Sequence, residues 1–516
     1  MLIHSGTETV LLKLKNAEQV LASVSTAKSV IETGDHQIVM VPHRLDELKV
    51  LRNLGVRVPS PILYNYDWPG RFKPFDHQRQ TAAFLTAHNR CLVLNEIGTG
   101  KTQSALWAAD YLMREGYVSK VLIISPLSTL ERVWADAIFT GFPDRDFVVL
   151  HGAAKKRLNL LSKDVDFYVI NHDGFSIIAE QARRMFDLII VDEAAVLRNP
   201  STNRYRKFSK WLREEKDVLL WLMTGTPTPN APTDAWALAK LVGSPYLTES
   251  YGAFRNQVMN RISEHVFIPR PESVETVRHI LQPAIRYTRD ECFDLPETIT
   301  QTRTADLTPE QVKYYDKMFR SLVVELASGT ISAVNQAVKA QKLVQIACGV
   351  AYDDDGNHVN LDCTPRVKLL KELIREAGEK VIVFVPLTGV LEMLNRELTA
   401  DKFTVGVVNG EVSAAKRNVI FRSFQEENNP QVLVAHPGTM SHGLTLTSAS
   451  TIIWYGPIYS NEQYTQANGR IERIGKKKVS NVIHIEGTAL EHKMFERLKN
   501  KQQIQGVLLD LIQKMR

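Results

Sequence analysis

The sequence predicts an α/β protein with two parallel sheets in tandem, each covered by helices, plus a small N-terminal segment and helical insertions. Three observations carry this. The stretch Asn95-Glu96-Ile97-Gly98-Thr99-Gly100-Lys101-Thr102 joins an apolar run, Cys91–Leu94, to a helix-forming run, Ser104–Ala109. Strand-like apolar runs then recur at Val121–Ser125, Phe167–Asn171, Leu188–Val191 and Val218–Met223, with helical stretches between. A second series follows at Val381–Phe384, Thr404–Val408, Val432–Ala435, Thr451–Trp454 and Asn481–Ile485. Continuous apolar runs alternating with helices mark βαβ units, whose strands are buried on both faces. Ligands of such sheets bind beyond the carboxyl ends of the strands.

Taken in order, residues 1–70 form a small accessory domain, with an alternating run at Thr9–Leu14 and a helix around Arg44–Leu54. Val58-Pro59-Ser60-Pro61 and Trp68-Pro69-Gly70 read as a linker. Residues 71–285 make the first, nucleotide-binding lobe. Residues 286–364 read as a linker and a mostly helical insertion. Its acidic turn, Asp353-Asp354-Asp355-Gly356-Asn357, mimics part of a calcium loop but lacks the later Glu, so no metal is expected there. Residues 365–490 make the second lobe, and 491–516 a C-terminal helix that packs back on the core.

The 516 residues, 44% hydrophobic and 23% charged, have an ordinary globular composition. A net charge of +6 permits a polyanionic partner without requiring one. Cys91, Cys292, Cys348 and Cys363 include no Cys-x-x-Cys pair, which argues against a zinc site or a disulfide framework. They suit a reducing compartment. No leader pattern and no apolar run near the roughly 18 residues of a membrane span is visible. The expected location is the cytoplasm of a bacterial or phage-infected cell, or the nucleus if the source is eukaryotic.

Strand, glycine-bearing loop and Gly-Lys-Thr at a helix start make a phosphate cradle. Backbone N–H groups and the helix dipole face the anion, Lys101 reaches the β/γ-phosphates, and the Thr102 hydroxyl binds Mg²⁺. The full pattern has Gly where Asn95 stands. Leu188–Val191 ends in Asp192-Glu193, and a strand sends these two carboxylates to opposite sides. Asp192 can hold the Mg²⁺ shell, and Glu193 can orient or deprotonate water. Thr224-Gly225-Thr226-Pro227 reads either as a plain turn or as a coupling loop near the γ-phosphate. On a helix, Gln466, Arg470 and Arg473 fall at i, i+4 and i+7. They are a solvated stripe or a pair of arginine fingers.

From about Phe75 to Leu509 the chain resembles the Swi/Snf-type DNA translocases of helicase superfamily two. Phe75–Gln78 resembles the adenine-reading Q motif, Asn95–Thr102 motif I, and Ser125-Pro126-Leu127 with Trp134 motif Ia. Asn171-His172-Asp173 stands in the place of motif Ib. Asp192-Glu193-Ala194-Ala195 with Leu197-Arg198-Asn199-Pro200 resembles motif II, and Thr224–Pro227 motif III. The bridge Tyr287-Thr288-Arg289-Asp290, Leu295-Pro296 and Leu307–Gln311 is similar to this family's link into its second lobe. Val408-Asn409-Gly410, Ser441–Thr447 and Gln466–Gly475 resemble motifs IVa, V and VI. Departures are Ala195 where His is usual, Ser441 and Thr445 in motif V, and Lys476 where Gln is usual.

The resemblance implies two RecA-like lobes, a DNA-dependent ATPase using ATP and Mg²⁺, and a monomeric core that translocates on double-stranded DNA, forked or branched DNA included. It implies a nucleotide site of Gln78, Gly98, Thr99, Gly100, Lys101, Thr102, Asp192, Gly443 and Gln466, with Thr102 and Asp192 on the metal. It implies catalytic roles for Glu193, Lys101, Arg470 and Arg473. DNA contacts are expected from Ser125, Pro126, Asn171, His172, Asn409, Gly410 and Thr439. Two alternatives stand: a strand-separating DNA or RNA helicase, and a nucleotide-gated DNA-binding module that hydrolyses poorly.

Overall fold

The computed structural model describes every residue except 34, 71–72, 263–266, 293–297, 328–332, 353–357, 441–445, 472–478 and 501–516. The chain divides into two compact units. One comprises Met1–Thr228, Pro232–Val258 and Pro271–Cys292, the other Pro229–Ala231, Met259–Arg270 and Phe293–Arg516.

The first unit opens with an antiparallel sheet of β1 (Leu2–His4), β2 (Thr9–Leu14), β3 (Lys28–Thr33) and β4 (His36–Pro42), in the order β1-β2-β4-β3. Alternation along β2 sends Val10 and Leu12 into a small core with Val39 and Val41 of β4. The helix Leu45–Asn53 serves two cores at once. Leu51 packs in the small one, whereas Leu45 and Leu48 join the core of the parallel sheet that follows.

That sheet takes β5 (Arg90–Val93), β6 (Val121–Ser125), β7 (Phe147–Val149), β8 (Phe167–Asn171), β9 (Leu188–Asp192) and β10 (Leu219–Met223). The hairpin β11 (Met259–Arg261) and β12 (Phe267–Pro269) belongs to the second unit. The last strand of the first sheet is β13 (Ala284–Ile285). The order is β13-β5-β10-β9-β6-β8-β7, every pair parallel. β6 and β8 have the bounds their apolar runs predict. β7 and β13 were not expected; at three and two residues they are too short to show as runs. The order sets β5, β10 and β9 side by side, so whatever follows their carboxyl ends is gathered in one place.

The second unit holds β14 (Thr298–Thr304), the hairpin β15 (Val350–Tyr352) and β16 (His358–Asn360), then β17 (Lys380–Phe384), β18 (Val405–Val408), β19 (Val432–Ala435), β20 (Ala449–Trp454) and β21 (Ser480–Glu486). Its parallel sheet runs β14-β21-β20-β17-β19-β18. β14 lies within 286–364 and is a strand that the reading of a linker and mostly helical insertion did not anticipate. Its sequence, Thr-Ile-Thr-Gln-Thr-Arg-Thr, is β-branched but polar, which an edge strand tolerates and an apolar-run search misses. The helices Pro309–Ala327 and Ala333–Ala347 supply the helical part. The helix Ala489–Lys499 buries Leu490, Met494, Phe495 and Leu498. Its Glu491 pairs with Arg366 at 2.6 Å, both side chains almost wholly buried, and Arg366 also donates to the carbonyls of Ala347 and Ile485. The turn Asp353–Asn357 and the pair Leu295-Pro296 lie outside the described residues.

Candidate functional site

The loop after β5 turns on two glycines with positive φ, Gly98 at 87° and Gly100 at 81°. Gly100 has the φ that L side chains rarely adopt, and a Cβ there would also displace the Gln78 side-chain amide 2.0 Å away, so glycine suits this position. Lys101 opens the helix Lys101–Arg114, and Thr102 is its second residue. The Lys101 ammonium lies inside the loop, donating to the carbonyls of Asn95 at 2.9 Å and Glu96 at 3.2 Å. Burial lowers its pKa, against the opposing pull of Glu193, Asp192 and Glu96. A cation held by carbonyls at a helix N-terminus, beside carboxylates, is built for an anion such as a polyphosphate.

The loop is tied from two directions. From the helix Asp76–Ala87, His77 Nε2 lies 2.9 Å from the Thr99 carbonyl, and Gln78 donates to the same oxygen at 3.3 Å. The Gln78 side-chain Oε1 accepts from the Phe75 N–H at 3.0 Å, closing that helix's N-terminus. From the segment after β13, the Tyr287 N–H donates to Asn95 Oδ1 at 3.0 Å and the Arg289 N–H to Glu96 Oε2 at 3.2 Å. Asn95 Nδ2 donates to the Thr81 hydroxyl at 2.9 Å. Sequence reasoning read Asn95 only as a missing glycine. The structure makes it the buried bridge between two segments, 1% exposed. Tyr287–Arg289, singled out as a link toward the second lobe, braces the phosphate loop within the first unit.

Asp192 ends β9, one strand beyond β10 from the loop. Its Oδ2 accepts from Trp134 Nε1 at 3.1 Å and its Oδ1 from the Glu193 N–H at 3.1 Å. Trp134 is fully buried within Leu130–Ala135, a wide turn of π-helix. Such turns are rare and concentrate at functional sites. The sequence flagged Trp134 but not its partner, 58 positions away. Glu193 is 8% exposed and sits in the left-handed region, at φ 51° and ψ 49°. A non-glycine residue there costs on the order of 1–3 kcal/mol, strain that a site stores to aim a side chain. Behind it Ala194 and Ala195 are buried. The Thr224 N–H bonds the Val93 carbonyl, and the Thr226 N–H the Thr224 hydroxyl, which sets Thr224–Pro227 against the end of β5.

The residues expected on DNA have mixed surroundings. Ser125, expected on DNA, is fully buried at the end of β6, which lies between β8 and β9 in the sheet. Pro126 follows, half-buried. Asn171 accepts from Arg157 at 2.7 Å, and His172 Nε2 lies 2.8 Å from the Asp192 carbonyl. In the second unit Asn409 is buried and accepts from the N–H groups of Glu411 and Val412, with Gly410 exposed beside it. The buried Thr439 hydroxyl donates to the His436 carbonyl at 2.7 Å.

The helix bearing Gln466 covers only Asn461–Asn468 and relaxes into turns at Gly469, a residue that favours helix ends. Gln466 and Arg470 therefore do not share the helix face that spacing suggests. Gln466 donates to Glu462 at 3.2 Å. Arg470 is 2% exposed, donates to the Met440 carbonyl at 3.4 Å and accepts from the Leu446 N–H through its own carbonyl. That burial removes the solvated-stripe reading for Arg470. Arg473 and Gly443 lie outside the described residues.

Comparison with known proteins agrees with this layout. The family model of the SNF2-related domain matches residues 36–348, and that of the helicase conserved C-terminal domain residues 365–475. The protein p41 of Acyrthosiphon pisum secondary endosymbiont phage 1 is 26% identical over 86% of this chain and 99% of its own length. The ISWI chromatin-remodeling complex ATPase ISW1 of Saccharomyces cerevisiae is 24% identical over 87% of this chain, which spans 41% of that protein. The ATP-dependent DNA helicase DDM1 of Arabidopsis thaliana is 23% identical over 81% of this chain and 59% of its own length. The Sulfolobus solfataricus SWI2/SNF2 ATPase core solved with dsDNA aligns at a TM-score of 0.39 and 22% identity, over 84% of this chain and 92% of that one. With a phosphate loop, an Asp-Glu strand end two strands away and a second parallel-sheet unit later in the chain, the chain belongs to the SNF2-related family of helicase-type ATPases, in the form of two tandem RecA-like lobes.

Proposed function

We propose that this chain is a motor that translocates on double-stranded DNA at the expense of ATP. The observation that carries the reading is the SNF2-related match over 36–348, continued by the helicase C-terminal domain over 365–475. Among the similar proteins, DDM1 is named an ATP-dependent DNA helicase, which favours DNA over RNA as the track.

The loop's residues fit MgATP. Lys101, held by loop carbonyls, would face the β/γ-phosphates, Thr102 and Asp192 would hold the cation, and Gln78 with Gly98, Thr99 and Gly100 would frame the nucleotide. Mg²⁺, when bound, neutralises charge developing on the transferred phosphoryl group. Trp134 and the Glu193 N–H hold the Asp192 carboxylate in one orientation. Glu193, aimed by its strained backbone, takes the proton of the attacking water at a side-chain oxygen. Contacts to DNA are to phosphates, which suits movement that does not read sequence.

A second reading, a nucleotide-gated DNA-binding module with poor hydrolysis, draws on one observation: the family's usual His is replaced by buried Ala195. Steady-state ATPase assays without nucleic acid and with duplex, single-stranded or forked DNA, or RNA, decide among these. The motor requires the largest stimulation from duplex or forked DNA, and a steep loss of DNA affinity with salt. Stimulation by RNA equal to that by duplex DNA refutes the DNA motor. Negligible turnover at saturating duplex DNA selects the binding module.

A further inference from the structure

Beside Val191 and Leu197, which flank the Asp192–Glu193 turn in the chain, lies a cavity of about 180 Å³. It opens between the helix His172–Ile178 and the helix Asn203–Glu214. Its floor is Ile124, Phe175, Val191, Leu197 and Phe208, all buried. Its rim is polar: His172, Asp173, Ser176, Asn203, Arg204 and Lys207, exposed or half-exposed.

The volume compares with the ~150 Å³ of an engineered apolar cavity that binds benzene. One aromatic ring fits. The rim adds a charge preference. Asp173 is already paired with Arg204 at 2.5 Å. That leaves Lys207 as the rim cation without an ion-pair partner among the described residues. The helix carrying both cations, Asn203–Glu214, holds Arg204, Arg206, Lys207, Lys210 and Arg213, with Glu214 its only acidic residue. An apolar floor under a cationic rim selects a molecule with a flat apolar body and one anionic group.

We propose that this cavity is a binding site for a small aromatic anion, such as an aryl carboxylate, set beside the residues that flank the Asp192–Glu193 turn. The site touches that turn through three of its lining residues. Val191 precedes Asp192, Leu197 closes the short turn that follows Glu193, and His172 Nε2 lies 2.8 Å from the Asp192 carbonyl. An occupant therefore bears on the backbone that positions both carboxylates. The inference stands apart from the motor reading, because binding is measured with neither ATP nor DNA present.

The test uses the full chain with three probes, benzoate, benzyl alcohol and acetate, by ligand-observed NMR titration. Benzoate should saturate and bind more tightly than either of the others. Lys207→Ala should weaken benzoate by roughly tenfold, the loss of about one charge-assisted hydrogen bond, and leave benzyl alcohol unchanged. Ser176→Phe, placed on the exposed rim, should block the mouth and abolish benzoate binding while thermal unfolding and circular dichroism stay parental. In ¹³C-histidine protein, with the signal assigned by His172→Gln, benzoate should shift the His172 ring resonance. The proposal is overturned if benzoate binds no better than acetate or benzyl alcohol, if Ser176→Phe leaves its affinity intact, or if the His172 signal does not move.

Discussion

Asn95 stands where the phosphate-loop pattern has glycine, so Asn95→Gly restores the pattern, and the structure predicts that it does harm. Asn95 is not among the residues with positive φ, so glycine brings no conformational relief. The substitution strips the acceptor from the Tyr287 N–H and the donor from the Thr81 hydroxyl. Leaving a buried N–H unsatisfied costs about 1–3 kcal/mol, and losing the second bond about 1 kcal/mol. Glycine's added unfolded-state freedom contributes a further ~0.5–1 kcal/mol. The sum is on the order of 3–4 kcal/mol, localised where the segment after β13 grips the loop. Hydrogen exchange by mass spectrometry on the peptide containing Ile285–Arg289 reads it directly. Protection should fall by roughly two orders of magnitude, since about 1.4 kcal/mol is tenfold. Asn95→Asp, which keeps the acceptor for Tyr287, should retain most of that protection. Parental exchange and parental nucleotide affinity in Asn95→Gly would refute the bridging role.

Glu193→Gln should keep MgATP affinity and lose turnover, because shape survives and the proton acceptor does not; hydrolysis at the parental rate excludes Glu193 as the base. Trp134→Phe keeps most of the buried volume and removes the N–H that holds Asp192. A hydrogen bond to a charged group contributes about 1.5–3 kcal/mol, so affinity for a fluorescent Mg-nucleotide should drop by roughly ten- to a hundredfold, and an unchanged affinity contradicts the orienting role. His484, buried in the second unit, has its pKa lowered to about 3, mainly by burial and then by Lys499. The unfolded chain takes up that proton near pH ~6.5, so between the two values it binds more protons than the folded chain. Stability of the second unit should therefore fall as pH drops below ~6.5, by up to about 1.4 kcal/mol per pH unit from this group. Urea midpoints at several pH values test this, and a slope unaltered in His484→Phe counts against it.

What was legible in the sequence follows from local physics. β6, β8 and β19 carry continuous apolar runs because both faces of a central strand are buried, and their bounds could be read directly. β14 could not, since an edge strand keeps polar Thr and Gln. Gly98, Gly100 and Lys101 were legible as types because the turn and the charge admit few substitutes. The Trp134–Asp192 and Asn95–Tyr287 bonds span 58 and 192 positions. No periodicity connects such pairs; they become visible only when the strand order does. The helix through Gln466 was read too long because i, i+4, i+7 spacing ignores Asn468-Gly469, which weakens the helix just before Arg470.

The strand order also explains why the costly features gather where they do. β5, β10 and β9 are neighbours in space, though roughly 100 residues separate the first from the last two in sequence. Their carboxyl ends bring together a half-buried, partly desolvated ammonium, a buried carboxamide and a glutamate in left-handed backbone. Each is unfavourable alone: the ammonium by desolvation, the carboxamide by its need for partners, the glutamate by strain. None is left to itself. Lys101 rests on loop carbonyls, Asn95 on Thr81 and Tyr287, and the Glu193 N–H on Asp192. The partners come from different elements: the helix Asp76–Ala87, the segment after β13, and β9 itself. Lys101 and Asn95 are in direct contact, so substitutions at these two positions should couple rather than add.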